Sequence, residues 1–266
     1  MGELFNLLLV HPTINLLLVF LFLFNLLRIP GAFGFAIIAI TAAIRLIFHP
    51  LYKNQMKMAQ QMEEIKPELD QLSKKYKNDK QRLQQEQLKL YQTKGLNPAS
   101  GCLGGIIQIP IFIALYQVLR LFLEGKSVKT VISQVNDAAY FDFVKISTLN
   151  PHFFGFDLSV PPSQFQQFGY HYLLIPLVTA GLQYLQITLQ QPAKKKNAIK
   201  PVKQNEKSNE SKPEDFQQMM SKQMRLMFPL MIGYFSYILP AGLALYWNIF
   251  SLISIAQVKN PWKNKK

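Results

Sequence analysis

Apolar residues in this chain are gathered into long blocks separated by charged segments, and this segregation restricts the fold more than any other feature. A membrane-spanning helix needs about 20 mostly apolar residues. Four blocks meet that need, and a fifth is long enough for two crossings with Pro240-Ala241-Gly242 at its middle. The blocks are residues 4–27, 33–52, 103–123, 171–189 and 226–258. The sequence therefore predicts an all-α, polytopic membrane protein.

The charge of the intervening segments predicts which side of the membrane each occupies. Residues 53–100 contain ten basic and six acidic residues, 191–225 contain nine and four, and the tail from Lys259 contains four lysines and no acid. The positive-inside rule assigns these three to the cytoplasm. Residues 124–170 contain three lysines and four acids, and we expect them outside. Most of the net charge of +14 then lies where anionic lipid attracts it, so DNA is not an expected partner.

These assignments divide the chain into segments and predict a multi-pass protein of the bacterial cell membrane, with its N-terminus outside and its C-terminus in the cytoplasm. The five predicted core spans are residues 31–52, 101–123, 171–190, 224–239 and 240–258. The segments between and after them are a cytoplasmic helical hairpin at 53–100, an outer loop at 124–170, a disordered basic cytoplasmic loop at 191–223 and a basic cytoplasmic tail at 259–266.

The N-terminal apolar helix, residues 1–30, has two possible placements. Pro12 favours a helix start and leaves a stretch near the lower limit for crossing. His11, Asn15 and Asn25 fall within one narrow arc of that helix, which favours a helix lying in the outer interface over a sixth span. The acidic start Met1-Gly2-Glu3 is unlike a signal peptide, so we expect the segment to be retained.

Arg45 lies inside the first core span, with apolar residues on both sides. An arginine at a helix centre costs about 2.5–3.5 kcal/mol on insertion scales. No acidic residue occurs in any predicted core span, so an ion pair within the membrane is not available. One interpretation is an arginine whose head group snorkels toward the cytoplasm.

The other interpretation is a hydrated, positively charged groove. The spans offer neutral polar side chains that would line such a groove together with Arg45. The candidates are Thr41, Gln108, Tyr116, Gln183, Gln186, Trp247, Asn248 and Ser251. Any one of them is more often a contact between helices, but their number favours the groove.

Enzyme chemistry has little support in the sequence. It contains no cluster of His or Cys with metal-ligand spacing, no glycine-rich phosphate loop, and no nucleophile beside a base. We therefore expect no catalytic residue, no metal and no cofactor, and a function without covalent chemistry.

Specific motifs follow one another along residues 33–123 and return in "LPAGLALYWNIFSLISIAQ". Their order is Arg45, His49-Pro50-Leu51, the charged hairpin, Asn97-Pro98, Gly101-Cys102, Gln108-Ile109-Pro110 and Tyr116. In this order the sequence resembles the YidC family of membrane protein insertases.

The resemblance implies a five-span core whose groove is closed toward the outside and open toward the cytoplasm and the lipid. Arg45, Thr41, Gln183 and Trp247 match groove residues of the family. The implied function is insertion of nascent membrane proteins without ATP, with a mobile hairpin at 53–97 needed for activity. A ribosome, bound through the basic cytoplasmic segments, and a Sec-type translocon are further candidate partners.

Two alternative functions remain at this point. A transporter or channel for a small anion would use the same positive cavity, although the sequence contains no convincing internal repeat. A scaffold that recruits ribosomes through 191–222 and the lysine tail would keep its function after Arg45→Ala.

Overall fold

A computed structural model of the chain describes residues 2–77, 79–96, 98–123, 127–190 and 213–259. In these ranges the side chains of residues 59, 63, 98–108, 213–222, 224 and 259 are outside the description. The helices are α1 (Gly2–Phe5), a π-helical turn (Asn6–Val10), α2 (His11–Leu26), α3 (Ala32–Ile47), α4 (His49–Glu64), α5 (Lys66–Lys75), α6 (Lys80–Thr93), α7 (Pro98–Leu123), α8 (Val128–Asp137), α9 (Phe165–Phe168), α10 (Leu174–Gln190), α11 (Pro213–Ile238) and α12 (Ala241–Lys259). Short 3-10 turns cover Asp142–Val144, Pro162–Gln164 and Tyr170–Leu173. Strands β1 (His152–Phe153) and β2 (Phe156–Asp157) pair antiparallel, with Phe153 opposite Phe156.

Several helices are long and apolar enough to cross a membrane. By length and composition these are Gly2–Leu26, Tyr170–Gln190 and Ala241–Val258, and α3 with α4 would be a fourth span, bent by 62° at the break between them. The apolar part of α7 within the described residues, Ile109–Leu123, is shorter. The predicted all-α, polytopic class is thereby confirmed, whereas the count of five core spans and the interfacial placement of the N-terminal helix stay predictions.

Helix α3 packs between other helices of the bundle. α2 and α12 both pack against it, and α10 packs against α11 and α12. Phe33, Ile37 and Ile40 are buried, and their spacing of four and three residues forms one stripe along the helix. This stripe positions Thr41 and Arg45, which continue it toward the C-terminal end of α3.

The segment between α8 and α10 closes one end of the bundle. The backbone N–H groups of Ala241 and Gly242, at the start of α12, donate to the carbonyl oxygens of Val160 at 3.0 Å and Leu158 at 2.9 Å. These bonds satisfy donors that a helix N-terminus leaves unpaired. A Cβ atom at Gly242 would lie 2.6 Å from the end of the Leu123 side chain on α7, so a larger residue there would require Leu123 to move.

The helices α4 to α6 leave the bundle. α4 ends before Ile65, and α5 begins with Pro67 in its first turn, where proline is tolerated because that N–H has no partner within the helix. Asp79 caps α6 by accepting from the backbone N–H of Arg82 at 3.0 Å. Lys94 and Glu68 form an ion pair of 2.6 Å between the end of α6 and α5. α5 and α6 thus form an antiparallel helical pair.

Two predicted segments lie largely outside the described residues. These are the predicted disordered loop at 191–223, of which 191–212 is not described, and the basic tail, of which 260–266 is not described. α11 begins at Pro213, before the predicted start of the fourth span at 224.

Candidate functional site

The guanidinium of Arg45 is enclosed by protein, with 4% of the residue exposed. Its Nη2 donates to Ser254 Oγ and to the carbonyl oxygen of Phe250 at 3.5 Å. Its Nη1 donates to Gln257 Oε1 at 3.4 Å. Ser254 Oγ in turn donates to the Phe250 carbonyl at 2.7 Å. The described hydrogen-bond acceptors around this cation therefore come from one face of α12, and they are neutral.

Two aromatic rings complete the enclosure. The guanidinium carbon of Arg45 lies 3.8 Å from the ring centroid of Phe250 and 4.1 Å from that of Tyr52. Rings at this distance attract a cation through their quadrupole, by about 2 kcal/mol when the pair is desolvated. Phe250 belongs to α12, and Tyr52 belongs to the first turn of α4.

No described carboxylate forms an ion pair with Arg45; the described pairs lie in the helical pair α5–α6 and in the segment between α8 and α10. Hydroxyl, amide, carbonyl and aromatic groups stabilise a cation without cancelling its charge. The site therefore keeps a full positive charge at the contact between α3 and α12.

Several buried polar atoms near these helices have no hydrogen-bond partner among the described residues. They are Arg45 Nε, Gln55 Nε2, Gln186 Oε1, Asn248 Oδ1 and Ser251 Oγ. Leaving such a group unsatisfied costs about 1–3 kcal/mol, and bound water is the usual way to satisfy it. Gln186 lies on α10 and Asn248 and Ser251 lie on α12, two helices that pack together.

The other predicted site residues are distributed over four helices, α3, α7, α10 and α12. Thr41 Oγ1 donates to the Ile37 carbonyl at 2.6 Å, one turn earlier on α3. Gln183 is buried on α10. The Trp247 ring stacks on Phe112 of α7, with centroids 6.0 Å apart and planes 11° apart. The side chain of Gln108 lies outside the described residues. Among the described contacts, none of these residues bonds to Arg45, and their role as groove residues stays a prediction.

Asn248 lies at the edge of a cavity of about 260 Å³ between α10, α12 and the β1–β2 hairpin. The other lining groups are apolar, and they include Phe153, Leu174 and Leu245. The buried Oδ1 of Asn248 is thus a lone acceptor beside an apolar space.

The sequence prediction missed the groups that contact Arg45. Ser254, Gln257, Phe250 and Tyr52 were not among the predicted site residues. A signal was present in the spacing, because Ser251, Ser254 and Gln257 follow at intervals of three and share one face of the last helix. That face is the one that α12 turns to Arg45.

Within the residues searched, no group of three or more His, Cys, Asp or Glu side chains is placed to hold a metal ion.

Residues 24–263 match the family model described as 60Kd inner membrane protein. This chain belongs to that family. The resemblance to the YidC insertases is confirmed by relatives that carry this name. The membrane protein insertase YidC of Oceanobacillus iheyensis is 31% identical over 88% of this chain and 77% of its own length.

Other relatives are much longer than this chain. The membrane protein insertase YidC of Cupriavidus taiwanensis is 31% identical over 85% of this chain but 31% of its own length. ALBINO3-like protein 1 of Arabidopsis thaliana chloroplasts is 30% identical over 86% of this chain and 43% of its own length. This chain thus spans about a third of the length of the first of these relatives.

A crystal structure titled as an active YidC insertase with its first transmembrane domain resolved is 28% identical to this chain. The match covers 91% of this chain and 44% of that one, with a TM-score of 0.49.

Proposed function

We propose that this protein is a membrane protein insertase and chaperone. It accepts polar segments of nascent membrane proteins in a hydrated, positively charged groove and releases their apolar helices laterally into the lipid, without ATP. The observation that carries the proposal is the buried Arg45, which neutral groups hold and no described carboxylate pairs. The names of the relatives in the 60Kd inner membrane protein family support it.

The positive charge of Arg45 would make the groove prefer substrate tails that carry acidic side chains. At an effective dielectric constant of 20, two unit charges 4 Å apart attract by about 4 kcal/mol. An acidic side chain in a substrate tail would therefore replace the missing counter-ion. The same field repels basic segments, so the site would favour tails that carry Asp or Glu.

Water in the groove lowers the free energy of carrying a polar tail partway across. The unpartnered atoms of Gln186, Asn248 and Ser251 require water or a substrate backbone as partners. Arg45, Thr41, Gln108, Gln183, Trp247 and Asn248 are the proposed groove residues. Partitioning of the substrate's apolar helix into lipid then drives its release, and no nucleotide is needed.

The proposed placement is a bacterial cell membrane with five core spans, the N-terminus outside and the C-terminus in the cytoplasm. Asn15 supports an outer-interface position for the N-terminal helix. Its Nδ2 donates to the Ala138 carbonyl at 2.9 Å and its Oδ1 accepts from the Tyr140 N–H at 2.6 Å. Phe22, two turns further along α2, contacts Phe143 at 5.6 Å. These contacts join α2 to the segment that we propose to lie outside, and they support the outer-interface position of α2.

The proposed partners follow from charge and position. Nascent membrane proteins are the substrates, and anionic lipid binds the basic cytoplasmic face. The basic cytoplasmic segments suit ribosomal RNA, and a Sec-type translocon is a second candidate partner at the membrane.

The experiment is reconstitution of the purified protein in sealed liposomes with a small single-span substrate that carries an acidic tail. A matched substrate carries Asn and Gln in the same positions. Arg45→Ala should reduce insertion of the acidic substrate by at least about tenfold and affect the neutral one less, and Arg45→Lys should retain part of the activity. Arg28→Ala, at an exposed arginine outside both the hairpin and the proposed groove, is the matched control.

Equal insertion of the acidic substrate by the parent, Arg45→Ala and Arg45→Lys would rule out the electrostatic role. A steady leak of a small anion from the same liposomes would favour the channel instead.

A further inference from the structure

The Tyr52 ring covers Arg45 from outside the bundle. Tyr52 is itself buried, with 8% exposed, and its ring centroid lies 4.1 Å from the guanidinium carbon. It belongs to the first turn of α4, beyond a bend of 62° from α3. The other contacts of the guanidinium described above, to Phe250, Ser254 and Gln257, come from α12.

The two elements that hold Arg45 differ in how they are anchored. α12 packs against α3 and α10 and begins with backbone hydrogen bonds to the outer segment. α4 contacts α7 and continues into the cytoplasmic helical pair α5–α6. A movement of the helical pair would therefore shift Tyr52 while the contacts from α12 stay in place.

A second observation concerns the same face of α4. Gln55, three residues after Tyr52, has a buried Nε2 without a partner among the described residues. A buried donor without an acceptor disfavours the closed position of α4. Movement of α4 would let water or a substrate carbonyl satisfy this group.

We propose that Tyr52 is a positioning residue that acts as a lid on Arg45, and that displacement of α4 uncovers the guanidinium for an incoming carboxylate. This inference rests on the proposed function for the identity of the incoming group. The lid itself can be tested without any insertion assay. With 4% of Arg45 exposed, a substrate carboxylate cannot contact the guanidinium while the ring stays in place.

The experiment measures modification of each arginine by phenylglyoxal, using mass spectrometry on the full-length protein in liposomes. Arg82, on the exposed hairpin, is the reactive reference. Arg225 reports on folding, because its side chain donates to Thr188 Oγ1 at 3.2 Å and lies over the Tyr184 ring. Tyr76→Ala, which removes the ring near Arg82, is the matched control for loss of a hairpin tyrosine.

Tyr52→Ala should raise the modification rate of Arg45 by about tenfold, in line with the loss of a desolvated ring contact. Tyr52→Phe, which keeps the ring, should protect Arg45 as the parent does, and Tyr76→Ala should leave Arg45 unchanged. Tyr52→Leu, which retains apolar volume without a ring face, should also raise the modification rate of Arg45. It replaces the alanine variant in the test if that variant does not fold.

An Arg45 that stays protected in Tyr52→Ala and Tyr52→Leu would overturn the proposal. So would an equal rise at Arg45 and Arg225, since that pattern means a general loosening. Failure of the proposed function gives a different result: Arg45→Ala would insert normally, while Tyr52→Ala would still expose Arg45.

Discussion

The bundle around α3 and the helical pair α5–α6 differ in how far their residues are buried and in how their charged side chains are paired. α3 buries half of its length, including Arg45, whereas α5 and α6 bury no residue. In the helical pair, Lys89 and Lys94 form ion pairs with Glu86 and Glu68 at 2.9 and 2.6 Å. In the bundle, the cation is held by neutral groups. The lysines of the helical pair, which have counter-ions, are exposed to solvent. Arg45, which has no counter-ion among the described residues, is buried.

This difference in burial determines how much each contact contributes to the free energy of unfolding. Water and salt screen an exposed ion pair, so its contribution to stability is about 0–1 kcal/mol. A buried cation has no such screening, and each lost neutral partner leaves part of it unsatisfied. Small changes in the bundle should therefore outweigh the loss of a whole ion pair in the helical pair.

The largest expected difference in stability between the two regions comes from replacing one glycine in each region by alanine. A Cβ atom at Gly34 would overlap the Phe153 ring, whereas a Cβ atom at Gly95, after α6, would meet open space. Gly34→Ala should lower the free energy of unfolding by about 1–3 kcal/mol, since a packed ring must shift. Gly95 has a φ of +64°, so Gly95→Ala should cost about 1 kcal/mol through backbone strain alone.

The two changes in the free energy of unfolding can be measured on detergent-solubilised variants. Each variant is denatured by increasing SDS, and its helix content is followed by circular dichroism. In a Phe153→Ala background, Gly34→Ala should cost less than it does in the parent, because the overlapping ring is gone. Equal effects of the two glycine variants would contradict the packing argument.

The next effect is loss of a neutral partner of Arg45. Ser254→Ala removes the hydroxyl that accepts from Nη2, and we expect it to lower the free energy of unfolding by about 1–2 kcal/mol. Ser251→Ala is a matched control on the same helix, because the Ser251 hydroxyl is equally buried and has no described partner. Its removal should be neutral or slightly stabilising.

The corresponding change in the helical pair is Glu68→Gln, which removes the charge that Lys94 contacts. It should alter the same SDS transition by about 0–1 kcal/mol. If Glu68→Gln destabilises the protein as much as Ser254→Ala does, the contrast between the two regions is wrong.

The sequence predicted the class of the fold and indicated that Arg45 is unusual, but it did not predict the residues that contact Arg45. Arg45 stood out because an arginine without an acidic partner is rare within an apolar span. Apolar periodicity then predicts which face of each helix is buried, as it does for Phe33, Ile37 and Ile40. It does not predict which helices are neighbours, or the register between them.

The contacts of Arg45 depend on that register. Ser254 and Gln257 are more than two hundred positions away from Arg45 in the chain, and they reach it because α12 packs beside α3. Tyr52 reaches it because the chain bends between α3 and α4, and no pattern in the sequence indicates the direction of that bend. The predicted residues Gln183, Trp247 and Asn248 have the expected chemistry, but the described contacts of Arg45 do not include them.

The smallest expected effect is a pH dependence in the helical pair. The hydrogen bond from Lys89 holds the pKa of Glu86 below its ordinary value of 4.5. Because the folded-state pKa is lowered, the contribution of the Glu86–Lys89 pair to stability is present above the unfolded-state pKa. It is lost as the pH falls through the lowered folded-state value. The parent and Glu86→Gln should therefore differ slightly in thermal midpoint at pH 7 and converge in strong acid.

Salt provides the control for that comparison. The Glu86 carboxylate is exposed to solvent, so 1 M salt, with a Debye length of about 3 Å, should remove most of the difference at pH 7. Ser254→Ala should keep its effect under the same conditions, because the Ser254 hydroxyl is neutral and Arg45 is 4% exposed, so added ions screen their contact little. A loss of both effects in high salt would mean that Arg45 is as accessible as the hairpin charges, and the distinction between the two regions would fail.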